Sequence, residues 1–267
     1  MSFKKIKIYC VTNKELPFLK DTNYYFAGVG NNHFPKSYLL SNERDNIHYK
    51  EKNYSELTFH YWYWKNMLDI TQDEWVGFCQ KRRFWLKSSS KNHEINLQNL
   101  KEYILTEPED DWKNYDSIIC SPINVSGAKK IKILKRGWRS ILKYPGIFFG
   151  TRKESIKIHF DMHHGHGNLD KAIKHLDDAD RNDFTNFVNN NTSFNPHIMC
   201  ISKPVILNKW FNSLFAWLER CEKDFGFEDL KGYDLQRIYA FLAERYHSFW
   251  FKKYTKYKEA DWIFIDN

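Results

Sequence analysis

The stretch Val76-Gly-Phe-Cys-Gln-Lys-Arg-Arg-Phe84 runs from an apolar segment straight into three successive cations. The apolar run at residues 75–79 is short, which predicts a short buried β-strand. A strand that ends in Lys81, Arg82 and Arg83 places these cations at the carboxyl edge of a sheet, where α/β folds bind ligands. Two arginines there could clamp a diphosphate through paired hydrogen bonds. A solvated basic turn is the plainer interpretation of the same residues.

Similar short apolar segments alternate with longer amphipathic stretches on both sides of this strand. This is the pattern of an α/β domain with a mostly parallel sheet flanked by helices. We predict strands at 5–12, 75–79, Ser117–Cys120, 155–160 and 198–201. We predict helices at 55–68, with Ser55 as N-cap, and at 169–176, 208–223 and 233–250, so the C-terminal half is mainly helical. With no repeat and no Gly/Ser linker, we expect one domain over 1–250 and a tail over 251–267.

The composition fits a folded globular protein with anionic partners. The 267 residues are 42% hydrophobic and 18% aromatic, which excludes disordered, collagen-like and low-complexity chains. The net charge is +8, which favours nucleic acid, nucleotide phosphates or anionic lipid head groups as partners. The five cysteines form no close pair, so we expect free buried thiols in a reducing cytosol.

A basic segment, residues 129–153, carries nine Lys or Arg and no acid, together with Trp138 and apolar residues at helical spacing. Such a face is typical of contact with anionic lipid. RNA binding would use similar residues, and a solvated face with its apolar stripe on the core is equally compatible. We expect no signal peptide and no membrane span, and hence a cytoplasmic protein, in contact with the inner face of the plasma membrane through this segment.

A second cluster, Phe160-Asp-Met-His-His-Gly-His-Gly167, follows the strand predicted at 155–160. Asp161 at a strand end is suited to act as a general base on a sugar hydroxyl, with a histidine orienting it. Asp161 and His163 could instead share a divalent metal. A solvated loop rich in histidine accounts for the same residues without a function.

The sequence lacks several signatures of other enzyme classes. It has no G-x-x-x-x-G-K-[ST] loop, no G-x-G-x-x-G, no G-x-S-x-G elbow and no C-x-x-C pair. P-loop ATPases, Rossmann dehydrogenases, α/β-hydrolases and zinc ribbons are therefore disfavoured.

Several blocks in order along the chain carry a further signal. The first are Asn53-Tyr-Ser-Glu-Leu-Thr58 and Tyr61-Trp-Tyr-Trp-Lys-Asn66, followed by Phe78-Cys-Gln-Lys-Arg-Arg-Phe84. The later ones are Tyr115-Asp116, Asn168-Leu-Asp-Lys-Ala172 and Phe241-Leu-Ala-Glu-Arg245. Together they resemble a bacterial glycosyltransferase family of capsule and O-antigen clusters, long a domain of unknown function, that includes galactofuranosyltransferases. The resemblance covers about residues 4–250, nearly the whole chain.

The resemblance implies a GT-A-like fold and an enzyme that moves a sugar from a nucleotide-diphosphate donor, UDP-linked, to a growing capsular or lipopolysaccharide glycan. Galactofuranose transfer in this family would imply inversion at the anomeric carbon. We expect the acceptor to be linked to polyprenyl diphosphate, which would explain the basic segment with its Trp138. Gln80 stands where the family usually has His, and Lys81 where it has Tyr. The role of that His therefore does not carry over, whereas the two arginines do.

Our mechanistic hypothesis is that Arg82 and Arg83 neutralise the diphosphate in place of a metal, so that no cofactor is required. Asp161 would then deprotonate the acceptor hydroxyl, next to His163. We also assign Thr12, Gln80 and His164 to donor binding, which completes the candidate set.

An alternative assignment makes Asp161 and His163 ligands of Mn²⁺ or Mg²⁺, with Glu56 or Glu244 as the base. Glu244 also has a structural interpretation, because Arg245 follows it. Two functions of other classes are compatible with the sequence: a non-catalytic carbohydrate-binding or scaffold subunit of a polysaccharide assembly system, and a basic RNA-associated protein. No RNA-binding motif accompanies the cations, so nucleic acid is not an expected partner.

Overall fold

The computed structural model describes residues 5–126, 142, 146–149 and 153–266, which divide into two compact units. The first unit comprises Met1–Ser121, His197–Ser213 and Trp250–Asn267. The second comprises Pro122–Pro196 and Leu214–Phe249. The expected single domain over 1–250 stays a prediction.

The elements of the described residues are numbered in chain order. The strands are β1 (Ile6–Thr12), β2 (Tyr24–Gly28), β3 (Leu39–Leu40), β4 (Trp75–Gln80), β5 (Arg83–Trp85), β6 (Ser117–Cys120), β7 (Ile123–Asn124), β8 (Ser193–Phe194), β9 (Cys200–Ser202), β10 (Tyr257–Ala260) and β11 (Trp262–Phe264). The helices are α1 (Glu51–Tyr54), α2 (Leu57–Asn66), α3 (Leu100–Tyr103), α4 (Gly146–Phe149), α5 (Ile156–His164), α6 (Asn168–Lys174), α7 (Asp178–Asn190), α8 (Pro204–Phe225), α9 (Tyr233–Gln236) and α10 (Ile238–Tyr254).

A mixed sheet organises the first unit. Its strand order is β10-β6-β9-β4-β1-β2-β3, and β5 pairs with both β4 and β11. The central strand β1 lies parallel to β2 and to β4, with Cys10 opposite Cys79. Gly77 in β4 has no side chain because a Cβ there would lie 2.7 Å from Ile201 in the neighbouring β9. The strands predicted at 5–12, 75–79 and Ser117–Cys120 are confirmed.

Side chains point alternately to the two faces of β1, and Ile8 to Thr12 are buried on both of them. Ile8 and Cys10 belong to a core cluster on one face. Tyr9 points to the other face, where its ring lies 5.7 Å from Phe59 and 4.9 Å from Tyr63 of α2. Packing against α2 therefore fixes the position of this helix over the central strands.

The segment 251–267, which we expected to be a tail, completes α10 and then forms two strands of the sheet. β10 lies parallel to β6, with Tyr257 opposite Ser117. β11 lies antiparallel to β5, with Phe264 opposite Arg83. The expectation failed because short strands with charged residues look like solvated coil, and their stability comes from pairing with distant strands.

The second unit is mainly helical, as predicted for this half of the chain. Phe184, Trp217 and Tyr246 form an aromatic group at its core, with the rings of Trp217 and Tyr246 4.8 Å apart. Tyr246 donates a hydrogen bond of 2.6 Å to Asp180, and Trp217 donates one of 2.8 Å to the carbonyl of Ala172. The buried polar atoms of these large side chains are thus satisfied.

The strand predicted at 155–160 is wrong, because these residues begin helix α5. Ser155 is the N-cap, and its side chain accepts a hydrogen bond from the backbone N–H of Ile158. The helix ends at His164, and its C-cap is Gly165, whose φ of 92° favours glycine. Most residues of α5 are buried, whichever side of the helix they lie on. The apolar residues of 155–160 therefore reflect burial and not the two-residue repeat of a β-strand. Asp161 therefore lies within a helix and not at a strand end.

Smaller differences concern element ends. Helix α2 begins at Leu57, and Ser55, the predicted N-cap, instead ends α1 with a φ of 54°. The helix predicted at 233–250 is two helices, α9 and α10, and the strand predicted at 198–201 is β9. The helices predicted at 169–176 and 208–223 are confirmed as α6 and α8, and all five cysteines are buried and in no disulfide.

Candidate functional site

The carboxyl ends of β1 and β4 meet in the first unit, and Gln80 is the last residue of β4. Side chains alternate along the strand, so Gln80 points to the same face as Phe78, the face covered by α2. Glu56 immediately precedes α2. The strand and the helix thus bring Gln80 and Glu56 together, although 24 positions separate them in the sequence.

The side-chain amide of Gln80 joins three groups, and we call Glu56, Gln80, Arg83 and His197 the Gln80 cluster. Its Nε2 donates to Glu56 Oε1 at 2.5 Å and to the carbonyl of His197 at 2.9 Å. Its Oε1 accepts from Arg83 Nη1 at 3.1 Å, across the two-residue turn between β4 and β5. A neutral amide therefore bridges a carboxylate and a guanidinium, and all four residues are half-buried.

The backbone around the Gln80 cluster adopts unusual conformations. Ser55, His197 and Ile198 have φ values of 54°, 71° and 53°. Ile198 is β-branched and 2% exposed, and such a residue is a genuine outlier in the left-handed region. Strained residues of this kind concentrate at functional sites, where the surrounding structure holds them. This points to a functional role for the edge at which Glu56 and His197 lie.

The other cations of this edge also have partners. Lys81 Nζ donates to Asn13 Oδ1 at 2.5 Å. Arg82 Nη2 pairs with Asp266 Oδ1 at 2.5 Å. The aromatic ring of Phe264 lies 4.9 Å from the guanidinium carbon of Arg82 and 5.4 Å from that of Arg83. The basic run is therefore ordered by the chain around it.

Thr12 ends β1 at the same edge, but its hydroxyl serves the local backbone. It accepts from the N–H of Lys14 at 3.0 Å and donates to the carbonyl of Lys14 at 2.6 Å. The residue is 1% exposed. This geometry shapes the turn after β1, and its assignment to donor binding stays a prediction.

Asp161 lies in the second unit within a tight group that we call the Asp161 cluster: Lys157, Asp161, His166, Gly167 and Asp170. The carboxylate accepts from the N–H of Gly167 at 3.1 Å and lies 3.3 Å from Lys157 Nζ and 3.5 Å from His166 Nδ1. Lys157 also pairs with Asp170 at 2.6 Å. The Asp161 side chain is only 4% exposed. The cluster joins the end of α5 to the start of α6.

The alternative metal pair, Asp161 and His163, does not fit the helix. Residues two positions apart on an α-helix point about 200° away from each other. The imidazole that approaches Asp161 is that of His166, beyond the end of α5. Within the described ranges, no group of three or more His, Cys, Asp or Glu side chains is placed to hold a metal ion. Metal dependence stays a prediction.

His164 and Glu244 are held by neighbours within the second unit. The ring of His164 lies 3.9 Å from that of Phe241, and its Nδ1 donates to the carbonyl of Asp234 at 3.0 Å. Burial, with a further contribution from Arg245, lowers the pKa of His164 to about 2. Glu244 accepts a hydrogen bond from Arg245, the pairing that we expected. The assignment of His164 to donor binding stays a prediction.

Three residues of this edge were missed by sequence reasoning: His197, Phe264 and Asp266. The run of aromatic and β-branched residues Trp262-Ile-Phe264 was the signal that could have revealed β11 and hence the aromatic ring. His197 carried no signal, because its backbone conformation and its contact with Gln80 exist only in the folded chain.

The basic segment 129–153 lies outside the described residues, apart from 142, 146–149 and Lys153. Its contact with anionic lipid therefore stays a prediction. In the part of the chain that the structure describes, no helix combines the length and the apolar character needed to cross a membrane.

Comparisons with known proteins bear on both the sequence and the fold. Residues 7–256 match the family described as "Domain of unknown function (DUF4422)". No protein of curated function matches the sequence. The fold is similar to the apo structure of WbbM, described as a bifunctional glycosyltransferase, with a TM-score of 0.72 and 17% identity. The match covers 99% of this chain and 46% of that longer one, and it confirms the expected glycosyltransferase-like α/β fold.

Proposed function

The chain belongs to the DUF4422 family, and on that premise we propose that it is a glycosyltransferase acting at the carboxyl edge of β1 and β4. It moves a sugar from a nucleotide-diphosphate donor, UDP-linked, to a growing capsular or lipopolysaccharide glycan. The observation that carries the proposal is the Gln80 cluster, which places a carboxylate beside the cations of the β4–β5 turn. The fold similarity to WbbM supports it.

The cations of this edge bind the diphosphate of the donor. Arg82 and Arg83 carry planar guanidinium groups that form paired hydrogen bonds with phosphate oxygens. When the bond between the sugar and the diphosphate breaks, negative charge develops on the leaving oxygen. Fixed cations at that position stabilise this charge, and they do so without a metal. We therefore propose that transfer does not require Mn²⁺ or Mg²⁺.

Glu56 is the carboxylate that we now favour as the base. It lies in the same unit as the arginines and is linked to Arg83 through Gln80. As the acceptor hydroxyl oxygen bonds to the anomeric carbon and the diphosphate leaves, Glu56 receives the hydroxyl proton. Asp161, our first assignment, is instead engaged with Lys157 and Gly167, which suits a structural role.

The sugar and the stereochemistry that we propose follow from the family resemblance alone. The sugar that we propose is galactofuranose, with inversion at the anomeric carbon. The acceptor is carried by polyprenyl diphosphate, and the basic segment 129–153 meets the anionic membrane that holds it.

Ligand binding is the first test of this proposal. The protein is titrated with UDP, GDP, CMP and TDP, each with EDTA and with Mn²⁺, and its thermal stability is measured in parallel. A ligand that binds only the folded state adds about 2.7 kcal/mol at ~100 times its Kd. We expect UDP to bind in EDTA. Binding only with Mn²⁺ would contradict the metal-free reaction, and no binding would favour the non-catalytic scaffold subunit.

A matched pair of variants then locates the site. Arg83→Ala removes a cation of the Gln80 cluster, whereas Lys101→Ala removes an exposed cation of α3 in the same unit. We expect Arg83→Ala to weaken UDP binding and transfer, and Lys101→Ala to change neither. Equal behaviour of the two variants would contradict the proposed site.

A further inference from the structure

Phe264 is an aromatic ring left exposed beside two arginines. It is 46% exposed, although it lies opposite Arg83 in the pairing of β11 with β5. Its ring lies 4.9 Å from the guanidinium carbon of Arg82 and 5.4 Å from that of Arg83. A large apolar side chain in such a position has surface that a flat ligand could cover.

The backbone fixes this ring relative to the cations. The N–H of Ile265 donates to the carbonyl of Arg82 at 2.9 Å, which continues the pairing of β11 past Phe264. Trp262 shares a strand face with Phe264, and its ring lies 4.7 Å from that of His197 in an edge-on arrangement. Trp262 and Phe264 therefore form an aromatic strip that runs alongside the Gln80 cluster.

A nucleoside diphosphate has the features that this strip and its cations would recognise. Its base is flat and aromatic, its diphosphate is anionic, and a single ribose joins them. Every base has a π-face that stacks on an aromatic side chain, whereas phosphates bind guanidinium groups. The distances from Phe264 to Arg82 and Arg83 bring both kinds of group within reach of one such ligand.

We propose that Phe264 is the platform on which the base of the donor nucleotide stacks, beside the arginines that hold its diphosphate. The inference rests on the proposed function, because it names the part of the donor that this edge of the site recognises. The competing role for the ring is to hold Arg82 and Arg83 in position by cation–π contact. The two roles predict different ligand dependences.

The test compares three ligands and three variants by titration calorimetry. The ligands are UDP, UMP and inorganic pyrophosphate, or the corresponding set for whichever nucleotide of the panel the wild-type protein binds best. The variants are Phe264→Leu, Phe264→Trp and a matched control, Phe227→Leu, which alters a 36% exposed ring in the second unit. Thermal unfolding of each variant shows that it is folded.

We expect Phe264→Leu to lower the affinity for UDP and for UMP about tenfold, as the loss of one base stack does. The affinity for pyrophosphate should stay unchanged. Phe264→Trp retains the affinity for both nucleotides, and Phe227→Leu behaves as wild type. Equal weakening of pyrophosphate, or no weakening of UDP, would overturn the inference while the proposed function stands. A wild-type protein that binds pyrophosphate but no nucleotide, or neither, would overturn both.

Discussion

The Gln80 cluster of the first unit and the Asp161 cluster of the second both hold a carboxylate near a cation, but they do so differently. In the Gln80 cluster, a neutral amide joins Glu56 to Arg83, and the residues are half-buried. In the Asp161 cluster, the carboxylate lies directly against Lys157, and the two side chains are 4% and 10% exposed.

This difference separates a binding arrangement from a structural one. A buried ion pair is desolvated, so that removing either charge leaves the other without compensation. It therefore resists competition from a ligand. A half-buried hydrogen bond to a neutral amide is weaker, and a charged substrate can replace it at small cost. On this reasoning the Asp161 cluster holds helices α5 and α6, whereas the Gln80 cluster is the one that we propose meets substrate.

The largest expected effect distinguishes the two carboxylates directly. Glu56→Gln removes the proposed base but keeps an acceptor for Gln80, so we expect the turnover number for transfer to fall by about 10²–10⁴. Asp161→Asn should leave the turnover number of the folded protein close to wild type. Both are measured as initial rates of UDP release with donor and acceptor present.

Melting temperatures provide the control for this pair, because a loss of folded protein would mimic a loss of catalysis. The proposed roles of the two carboxylates are contradicted if Asp161→Asn abolishes transfer at an unchanged melting temperature while Glu56→Gln remains active. In that case Asp161 is the base, as the sequence first suggested.

The central strands could be predicted because each is a short, mostly apolar segment with polar residues at its ends. β1, β4 and β6 all have this character, and the cations after β4 follow directly in the sequence. The position of Arg82 and Arg83 at the sheet edge was therefore accessible without a structure. The same reasoning failed at α5, where burial on nearly every side removed the periodic signal.

The partners of Gln80 could not be predicted, because they come from distant parts of the chain. Glu56 reaches Gln80 only because α2 packs on the sheet. His197 reaches Gln80 because the chain returns to the first unit at this residue. Phe264 depends on the pairing of β11, a strand of three residues. Contacts of this kind arise from tertiary packing, which local composition does not encode.

Stability should respond most strongly to a change in the Asp161 cluster. Lys157→Met keeps the long side chain but leaves the Asp161 carboxylate buried without its cation, so we expect a loss of about 3 kcal/mol in the free energy of unfolding. Lys101→Met, which removes a lysine 3.8 Å from Asp21 at the surface, should cost less than about 1 kcal/mol. Urea denaturation at pH 7 measures both. Equal losses would show that Lys157 and Asp161 contribute no more than a surface pair.

Acid should destabilise both units through one buried histidine in each. Burial lowers the pKa of His60 in α2 to about 3, and burial together with Arg245 lowers that of His164 in α5 to about 2. The unfolded chain takes up these protons near pH 6.5, so each contribution is complete above pH 6.5 and declines as the pH falls towards the folded value. At pH 5 the loss is about 2 kcal/mol for each ring.

Phenylalanine variants test this pH dependence. The ring of His60 lies 4.4 Å from Phe78, and that of His164 lies 3.9 Å from Phe241, so an aromatic replacement preserves the packing. His60→Phe and His164→Phe should each reduce the difference between the unfolding free energies at pH 7 and pH 5. An unchanged difference in either variant would mean that its histidine is not the group that takes up the proton.

The smallest effect concerns the exposed pair of Arg82 with Asp266, whose side chains are 36% and 78% exposed. The Asp266 carboxylate competes with the donor diphosphate for the guanidinium of Arg82. We therefore expect Asp266→Asn to tighten UDP binding. An exposed pair contributes at most about 1 kcal/mol, which limits the gain to about fivefold. The gain should shrink in high salt, since surface charges are screened there. Weaker UDP binding in Asp266→Asn would mean that Asp266 orients Arg82 for the ligand, and the exposed pair would then resemble the Asp161 cluster in holding its cation in place.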